Sequence, residues 1–242
     1  MSLLEVRGVE KRFGGVVALD GVDMDIHKGE ILGLVGPNGS GKSTLINILS
    51  GFYPRDEGLI SFDGVEVTDL AAHRIAALGI ARTYQIPRPF DTMTPRENIA
   101  VSYMFGHSRH NLEGAREAAQ EWLDFTGLAG VADVTIGELT LHQLKFLELA
   151  RALATQPSLL LLDEVLAGLN PNEINESVEM IRKIHSQGIT ILIVEHVVRA
   201  VMALSDRLVV LNQGVVISEG EPQKVMSDPG VVTAYLGKRG PD

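Results

Sequence analysis

The chain has 242 residues, of which 45 % are hydrophobic and 21 % are charged, so a disordered or collagen-like protein is excluded. Acidic residues outnumber basic ones by 31 to 21, and the formal charge of −10 is not that of a general nucleic-acid binder. Cysteine is absent, which excludes disulfides and thiolate metal sites.

The first residues show no basic segment followed by an apolar core, so no secretion signal is expected. The longest apolar runs, such as residues 75–81, are far shorter than the ~20 residues that span a bilayer. We therefore expect a chain that is soluble by itself.

Hydrophobic periodicity and turn residues predict the elements in chain order. In the first third the predicted strands are residues 3–9, 22–26, 31–35 and 58–62, and the predicted helix is 42–49. The middle predicts helices at 95–101, 112–125 and 143–155. The last third alternates, with strands at 159–162, 190–194, 207–212 and 215–218 and helices at 173–186 and 197–204. This alternation predicts an α/β fold with a mostly parallel sheet, helices on both faces and an inserted helical middle.

A phosphate-loop pattern follows the third predicted strand. Residues 36–43 read Gly-Pro-Asn-Gly-Ser-Gly-Lys-Ser, that is, glycine, four residues, glycine, lysine and serine. Such glycines let backbone N–H groups converge on phosphate oxygens, and the helix that follows adds its positive dipole end. We expect Lys42 to reach the β- and γ-phosphates, Ser43 to bind Mg²⁺, and Thr44 to place a hydroxyl near the α-phosphate.

Two adjacent carboxylates end a strongly apolar strand. Residues 159–162 are all leucine, and Asp163 and Glu164 follow directly. Carboxylate oxygens suit a hard cation such as Mg²⁺. The pattern predicts that the strand end lies beside the phosphate loop, where Asp163 supports the metal and Glu164 holds and polarises the attacking water.

With these motifs, the whole chain resembles the nucleotide-binding domain of ABC transporters. The resemblance implies one domain over 1–242, a P-loop fold of ABC type with an N-terminal antiparallel portion, and a helical subdomain at approximately 88–157. It also implies ATP and Mg²⁺ as cofactors. By the same resemblance Phe13 stacks on adenine, Gln85 contacts Mg²⁺ and water and senses the membrane partner, and His196 contacts the γ-phosphate.

The site predicted by motif and resemblance together is therefore extensive. Its catalytic residues are Lys42, Gln85, Glu164 and His196. Its nucleotide-binding residues are Phe13, Gly36, Pro37, Asn38, Gly39, Ser40, Gly41, Lys42, Ser43, Thr44, Thr140 and Gln143. Its metal ligands are Ser43, Gln85 and Asp163.

The sequence departs from the family in two segments. The usual Leu-Ser-Gly-Gly-Gln stands here as Leu-Thr-Leu-His-Gln over 139–143, which keeps the hydroxyl at Thr140 and the amide at Gln143. Backbone N–H groups survive the loss of the glycines, so a weakened or altered γ-phosphate contact is expected. In residues 167–170, Asn170 replaces the family's frequent aspartate.

Several segments resemble the importers of branched-chain amino acids, urea and short-chain amides. They are residues 163–171, 193–196, 205–208, 212–214 and 234–237. The resemblance implies a second ATPase subunit, identical or different, transmembrane permease subunits, an indirect solute-binding protein, no nucleic acid, and a place at the cytoplasmic face of the membrane. Residues 86–105 would then border the groove for the permease. Two alternatives stay open: a soluble ABC-type ATPase not coupled to transport, and a nucleotide-binding regulatory module with impaired hydrolysis.

Overall fold

The computed structural model describes residues 1–106 and 112–236. In chain order the elements are β1 (Ser2–Phe13), β2 (Val16–His27), β3 (Ile31–Val35), α1 (Lys42–Leu49), β4 (Glu57–Phe62), β5 (Val65–Glu66), α2 (Ala72–Ala77), β6 (Ile80–Arg82), α3 (Pro95–Met104), α4 (Leu112–Phe125), α5 (Leu141–Ala154), β7 (Leu159–Asp163), α6 (Pro171–His185), β8 (Thr190–Val194), α7 (Val198–Leu204), β9 (Arg207–Asn212), β10 (Val215–Gly220), α8 (Pro222–Met226) and α9 (Pro229–Leu236). They fall into two units, a terminal unit of Met1–Ala72 with Thr190–Asp242 and a central unit of His73–Ile189.

The terminal unit begins with an antiparallel sheet in the order β2-β1-β4-β5. Its strands β1 and β2 form a long hairpin of 12 residues each, so the predictions of 3–9 and 22–26 were too short. The extra length escapes the alternation rule because the hairpin end is exposed on both strands, at Arg12 and Phe13 of β1 and at Val16 and Val17 of β2. An exposed strand end has no buried face, and its sequence therefore carries no period of two.

The same unit contains a group of parallel strands. β3 pairs in parallel with β8 on one side and with β9 on the other, and β10 pairs with β9 as an antiparallel hairpin. All five residues of β3 and all five of β8 are buried, which explains their near-continuous apolar sequences. The predicted turn between β9 and β10 is confirmed, since Gln213 and Gly214 both have positive φ, as a type I′ hairpin turn requires.

In the central unit, β6 and β7 pair in parallel, and helices α3, α4 and α5 share one hydrophobic core. Its fully buried members include Ile99, Leu123, Leu147 and Ala150. The part of the predicted subdomain that the structure describes lies within this unit, and the boundary at 88–157 stays a prediction. Among the described residues, no helix combines the length and apolar character needed to cross a bilayer.

The observed helix starts correct two predictions. α5 begins at Leu141 and α6 at Pro171, each two residues earlier than the periodicity indicated. In both cases a polar side chain directly before the helix accepts backbone N–H groups of the first turn, so the helix extends to that cap. The short elements β5, α2, β6, α8 and α9 were not predicted.

Candidate functional site

The phosphate loop joins β3 to α1, and its glycines adopt conformations that other residues avoid. Gly36, Gly39 and Gly41 have φ values of 151°, 76° and 108°. A side chain at Gly36 would overlap the carbonyl oxygen of Leu211, and a Cβ at Gly41 would lie 2.5 Å from the carbonyl oxygen of Ala18. Both positions therefore require glycine for backbone conformation and for space.

Lys42 spans the loop from the first turn of α1. Its ammonium donates to the carbonyl oxygens of Gly36 at 2.8 Å and Pro37 at 3.0 Å, and approaches Ser40 Oγ at 3.4 Å. Lys42 and Ser40 are buried, whereas Asn38 and Ser43 are exposed and Thr44 is partly buried. The loop thus surrounds a single positive charge with oxygen acceptors at hydrogen-bond distance.

Two neighbours that sequence reasoning did not identify hold this loop. The Gly214 N–H of the β9–β10 turn donates to the Ser40 carbonyl at 3.0 Å. Tyr235 of α9 forms a hydrogen bond with the Gly36 backbone; burial raises the pKa of its phenol, and this hydrogen bond opposes the rise. Only the tertiary fold brings these residues to the loop. Gly237, which completes the quoted segment 234–237, lies outside the described residues.

The terminal unit also places His196 and Phe13 near the loop. β3 and β8 run parallel with Leu34 opposite Val194, so Gly36 and His196 each follow two residues later at the same edge. His196 is exposed there. Phe13 ends β1, on the hairpin whose other strand contributes the Ala18 carbonyl next to Gly41.

In the central unit, Asp163 closes β7 and is buried against a guanidinium. Arg82 Nη2 lies 3.2 Å from Asp163 Oδ2, and both side chains are about 10 % exposed. Burial lowers the pKa of Arg82, while the charges of Tyr84 and Asp163 oppose that change. Arg82 also lies over the Tyr84 ring, 4.5 Å from its centroid. The Asp163 carboxylate is therefore held in one orientation by a neighbour that sequence reasoning did not single out.

Glu164 and Gln85 meet directly. Gln85 Nε2 donates to Glu164 Oε2 at 2.5 Å, and the buried Lys145 ammonium donates to the Glu164 carbonyl oxygen at 3.2 Å. Glu164 has φ 50°, a left-handed conformation that costs a non-glycine residue about 1–3 kcal/mol and is concentrated at functional sites. The central unit thus brings three of the predicted residues, Gln85, Asp163 and Glu164, into one cluster.

The altered segment 139–143 forms the start of α5. Thr140 Oγ1 accepts the Gln143 N–H at 3.2 Å, and Gln143 Oε1 accepts the Thr140 N–H at 2.9 Å, a reciprocal capping box. The hydroxyl and the amide that the segment keeps from the family pattern therefore hold the helix start in place. His142 turns its ring onto Phe146, with centroids 4.3 Å apart, and its Nε2 lies 3.8 Å from Glu176 Oε2.

The predicted metal ligands all offer oxygen atoms. Within residues 1–106 and 112–236, no cluster of three or more His, Asp or Glu side chains is arranged to hold a metal ion. The predicted ligands are not such a cluster, because only one of them is a carboxylate. They are the hydroxyl of Ser43, the amide of Gln85 and the carboxylate of Asp163. Mg²⁺ binds through one or two carboxylates together with phosphate oxygens and water, so this set fits it.

The sequence model of the ABC transporter family matches residues 19–167. The chain is 38 % identical to the high-affinity branched-chain amino acid transport ATP-binding protein BraF of Pseudomonas aeruginosa, over 98 % of both chains. It is 37 % identical to the high-affinity branched-chain amino acid transport ATP-binding protein LivG of Escherichia coli K12, again over 98 % of both.

Solved structures agree with this relationship. The ADP conformation of MJ1267, an ATP-binding cassette of an ABC transporter, superimposes with a TM-score of 0.88 at 35 % identity, covering 98 % of this chain and all of that one. The post-hydrolysis dimer of the cassette MJ0796 bound to ADP and Pi gives a TM-score of 0.82 at 25 % identity, covering 90 % and 98 % of the two chains. The chain therefore belongs to the ABC transporter family, as an ATP-binding cassette.

Proposed function

We propose that this chain is the ATP-hydrolysing subunit that energises a membrane importer of branched-chain amino acids or related small amides. The observation that carries the proposal is the similarity to BraF and LivG over 98 % of both chains, combined with an intact phosphate loop. The coarser part, ATP binding and hydrolysis by a cassette, is common to the whole family. The solute class comes from the two named relatives.

The phosphate loop supplies the grip on the nucleotide. Residues 36–44 present backbone N–H groups at the start of α1, where the helix dipole favours an anion. Lys42 at present bonds to carbonyl oxygens of the loop. Phosphate oxygens are stronger acceptors for an ammonium than carbonyls, so the Lys42 charge turns to the β- and γ-phosphates when the nucleotide binds.

Ser43, Gln85 and Asp163 would hold the magnesium ion, which neutralises charge on the transferring phosphoryl group. Arg82 keeps the Asp163 carboxylate oriented through their contact at 3.2 Å. Because phosphoryl transfer needs positioning and charge neutralisation more than covalent chemistry, a fixed carboxylate is what this chain contributes.

Glu164 is assigned the role of holding and polarising the attacking water. Its carboxylate accepts from Gln85 Nε2, and its backbone is held in a strained conformation by β7 and Lys145. Such strain fixes the direction of the carboxylate before the substrate arrives. His196 completes the contacts to the γ-phosphate, and the N-terminus of α5 with Thr140 and Gln143 serves the nucleotide of a second ATPase subunit, identical or different.

The surface for the permease is assigned to residues 86–105, which include three strongly exposed apolar side chains, Ile86, Phe90 and Phe105. This segment is held by Asn98, which is fully buried and both accepts from the Phe90 N–H at 2.8 Å and donates to its carbonyl at 3.2 Å. These side chains support the assignment, because apolar surface that is exposed in one contiguous patch marks a protein interface. The subunit then lies at the cytoplasmic face of the membrane, with the solute-binding protein an indirect partner and no role for nucleic acid.

ATP hydrolysis by the purified chain and by its Glu164→Gln variant tests the catalytic part. We expect the variant to bind MgATP like the wild type and to hydrolyse it at least about a hundredfold more slowly, since the water loses its base. Equal rates would remove Glu164 from the mechanism. Solute uptake by vesicles holding the permease and this subunit tests the coupling, because a soluble ATPase would hydrolyse ATP without any uptake.

A further inference from the structure

The strand end that carries Phe13 lies beyond the regular part of its sheet. β1 pairs with β4 as far as Glu10, which stands opposite Glu57. On its other side, the pairing with β2 is irregular between Val9 and Lys11 and again between Lys11 and Arg12. Beyond Glu10 the strand keeps backbone pairing with β2 alone, through Arg12 opposite Val17 and Phe13 opposite Val16.

On the β4 side, hydrogen bonds to Asp56 take the place of strand pairing at this end. Its carboxylate accepts the Arg12 N–H at 2.6 Å and the Lys11 ammonium at 2.7 Å, while its own N–H donates to the Glu10 carbonyl at 2.9 Å. The hydrogen bond from Lys11, followed by that from the Arg12 backbone, lowers the pKa of Asp56. One ionised side chain thus ties down two consecutive residues directly before Phe13.

Tyr53 supports the Phe13 ring itself. The two rings pack edge to face, with centroids 5.4 Å apart and planes at 70°. Lys11 Nζ lies 5.4 Å from the Phe13 centroid, and 43 % of Phe13 remains exposed for a stacking ligand. The Tyr53 N–H donates to the Asn47 carbonyl of α1 at 3.1 Å, so this support is attached to the helix that begins at the phosphate loop.

We propose that Asp56 and Tyr53 are positioning residues for the nucleotide base. They hold the Phe13 ring at a fixed place relative to α1, so that the ring stacks on adenine while Lys42 holds the phosphates. Ring packing of this kind is directional, so we expect the ring to lose its fixed place when either support is removed. The inference rests on the proposed function, because it concerns the same nucleotide.

Two ligands separate base positioning from general stability: MgATP, and magnesium tripolyphosphate, which offers the phosphates without a base. Their dissociation constants are measured by calorimetry on the full chain and on Asp56→Ala and Tyr53→Ala. We expect MgATP to bind about threefold to tenfold more weakly to each variant, with tripolyphosphate binding unchanged. Tyr53→Phe keeps the ring and should bind both ligands like the wild type.

Asp69→Ala is the matched control, since it removes an 84 % exposed carboxylate that pairs with Arg55 and lies after β5. Asp56→Asn keeps an oxygen for the Arg12 N–H and should lose less affinity for MgATP than Asp56→Ala. If Asp56→Ala does not fold, Asp56→Asn is measured in its place. Equal weakening of both ligands, or weakening of neither, overturns the inference. A wild-type chain that binds neither ligand overturns the proposed function first, and this inference with it.

Discussion

Gly36 and Gly39 stand three residues apart in the phosphate loop, yet a side chain meets different surroundings at each. A Cβ at Gly39 has no atom within 4 Å, whereas at Gly36 it would overlap the Leu211 carbonyl. Gly39→Ala should cost about 1–2 kcal/mol for its positive φ alone. Gly36→Ala should cost at least about 3 kcal/mol, because overpacking adds to the strain of a φ of 151°, which essentially only glycine adopts. Urea unfolding of the two variants measures the difference, and equal losses would contradict the geometry.

Individual site residues were predictable where one local pattern carries the chemistry. The glycine spacing around Lys42 and the acidic pair after four leucines are such patterns. The supporting residues were not predictable in this way. Arg82 is 81 positions from Asp163, and Asp56 is 44 positions from Arg12, so only the folded chain shows these pairs.

Among the helices, α6 shows why Asn170 serves where the family often has aspartate. Asn170 Oδ1 accepts the N–H groups of Asn172 at 3.0 Å and Glu173 at 3.1 Å. Asparagine and aspartate are equally good N-caps, so the change of residue keeps the helix start.

Two substitutions of Asn170 separate the effect of the capping hydrogen bonds from the effect of a negative charge at this position. Asn170→Ala should lower the free energy of unfolding by about 1 kcal/mol, and Asn170→Asp should leave it within about 0.5 kcal/mol. Asn172→Ala, at an exposed position of the same first turn, is the control and should have a smaller effect. The measurement is chemical unfolding at neutral pH. An Asn170→Ala variant with the same free energy of unfolding as the wild type would show that the cap does not contribute to stability.

The pair of Arg96 and Asp133 gives a pH dependence to the helical part of the central unit. Arg96 of α3 donates from Nε at 2.8 Å and from Nη2 at 3.0 Å to the two carboxylate oxygens, and from Nη1 to Gln120 of α4 at 2.7 Å. The hydrogen bond from Arg96 lowers the pKa of Asp133. Since the folded-state pKa is the lower one, the pair stabilises the fold above the unfolded-state value of about 3.9, and this contribution is lost as the pH falls through the folded-state pKa.

We therefore expect Asp133→Asn to melt at a lower temperature than the wild type at pH 7. At a pH below the folded-state pKa the two proteins should melt at the same temperature, because both then lack the charge at position 133. Thermal unfolding followed by circular dichroism gives both comparisons. A difference that persists at acid pH would assign the effect to packing and not to the ion pair.

The elements themselves were predicted best where strong stop signals flank them. The predicted bounds are correct for β3, α1, β8 and β9. Each of these elements either is a continuous buried apolar run or ends at a glycine or an asparagine. The ends of β1 and β2 were missed because they are exposed, and the starts of α5 and α6 were placed too late because a cap adds residues outside the apolar period. Local pattern thus predicts what is buried, and it underestimates what is held by single polar contacts.

For the molecule as a whole, nucleotide binding should stabilise the folded chain, because a ligand that binds only the folded state shifts the unfolding equilibrium. MgATP at about 100 times its dissociation constant adds about 2.7 kcal/mol to the folded state. In a chain of 242 residues this corresponds to a rise of about 5–10 °C in the melting temperature. Lys42→Ala should remove the rise, and a similar rise in that variant would place the nucleotide elsewhere.

The most direct measurement is titration calorimetry with magnesium and a nonhydrolysable adenine nucleotide, on the wild type and on Lys42→Ala. We expect saturable heat with one nucleotide per chain for the wild type, and heat reduced to the level of dilution for the variant. No heat from the folded wild type, or equal heat from both proteins, would contradict the claim that the loop of residues 36–44 holds the triphosphate.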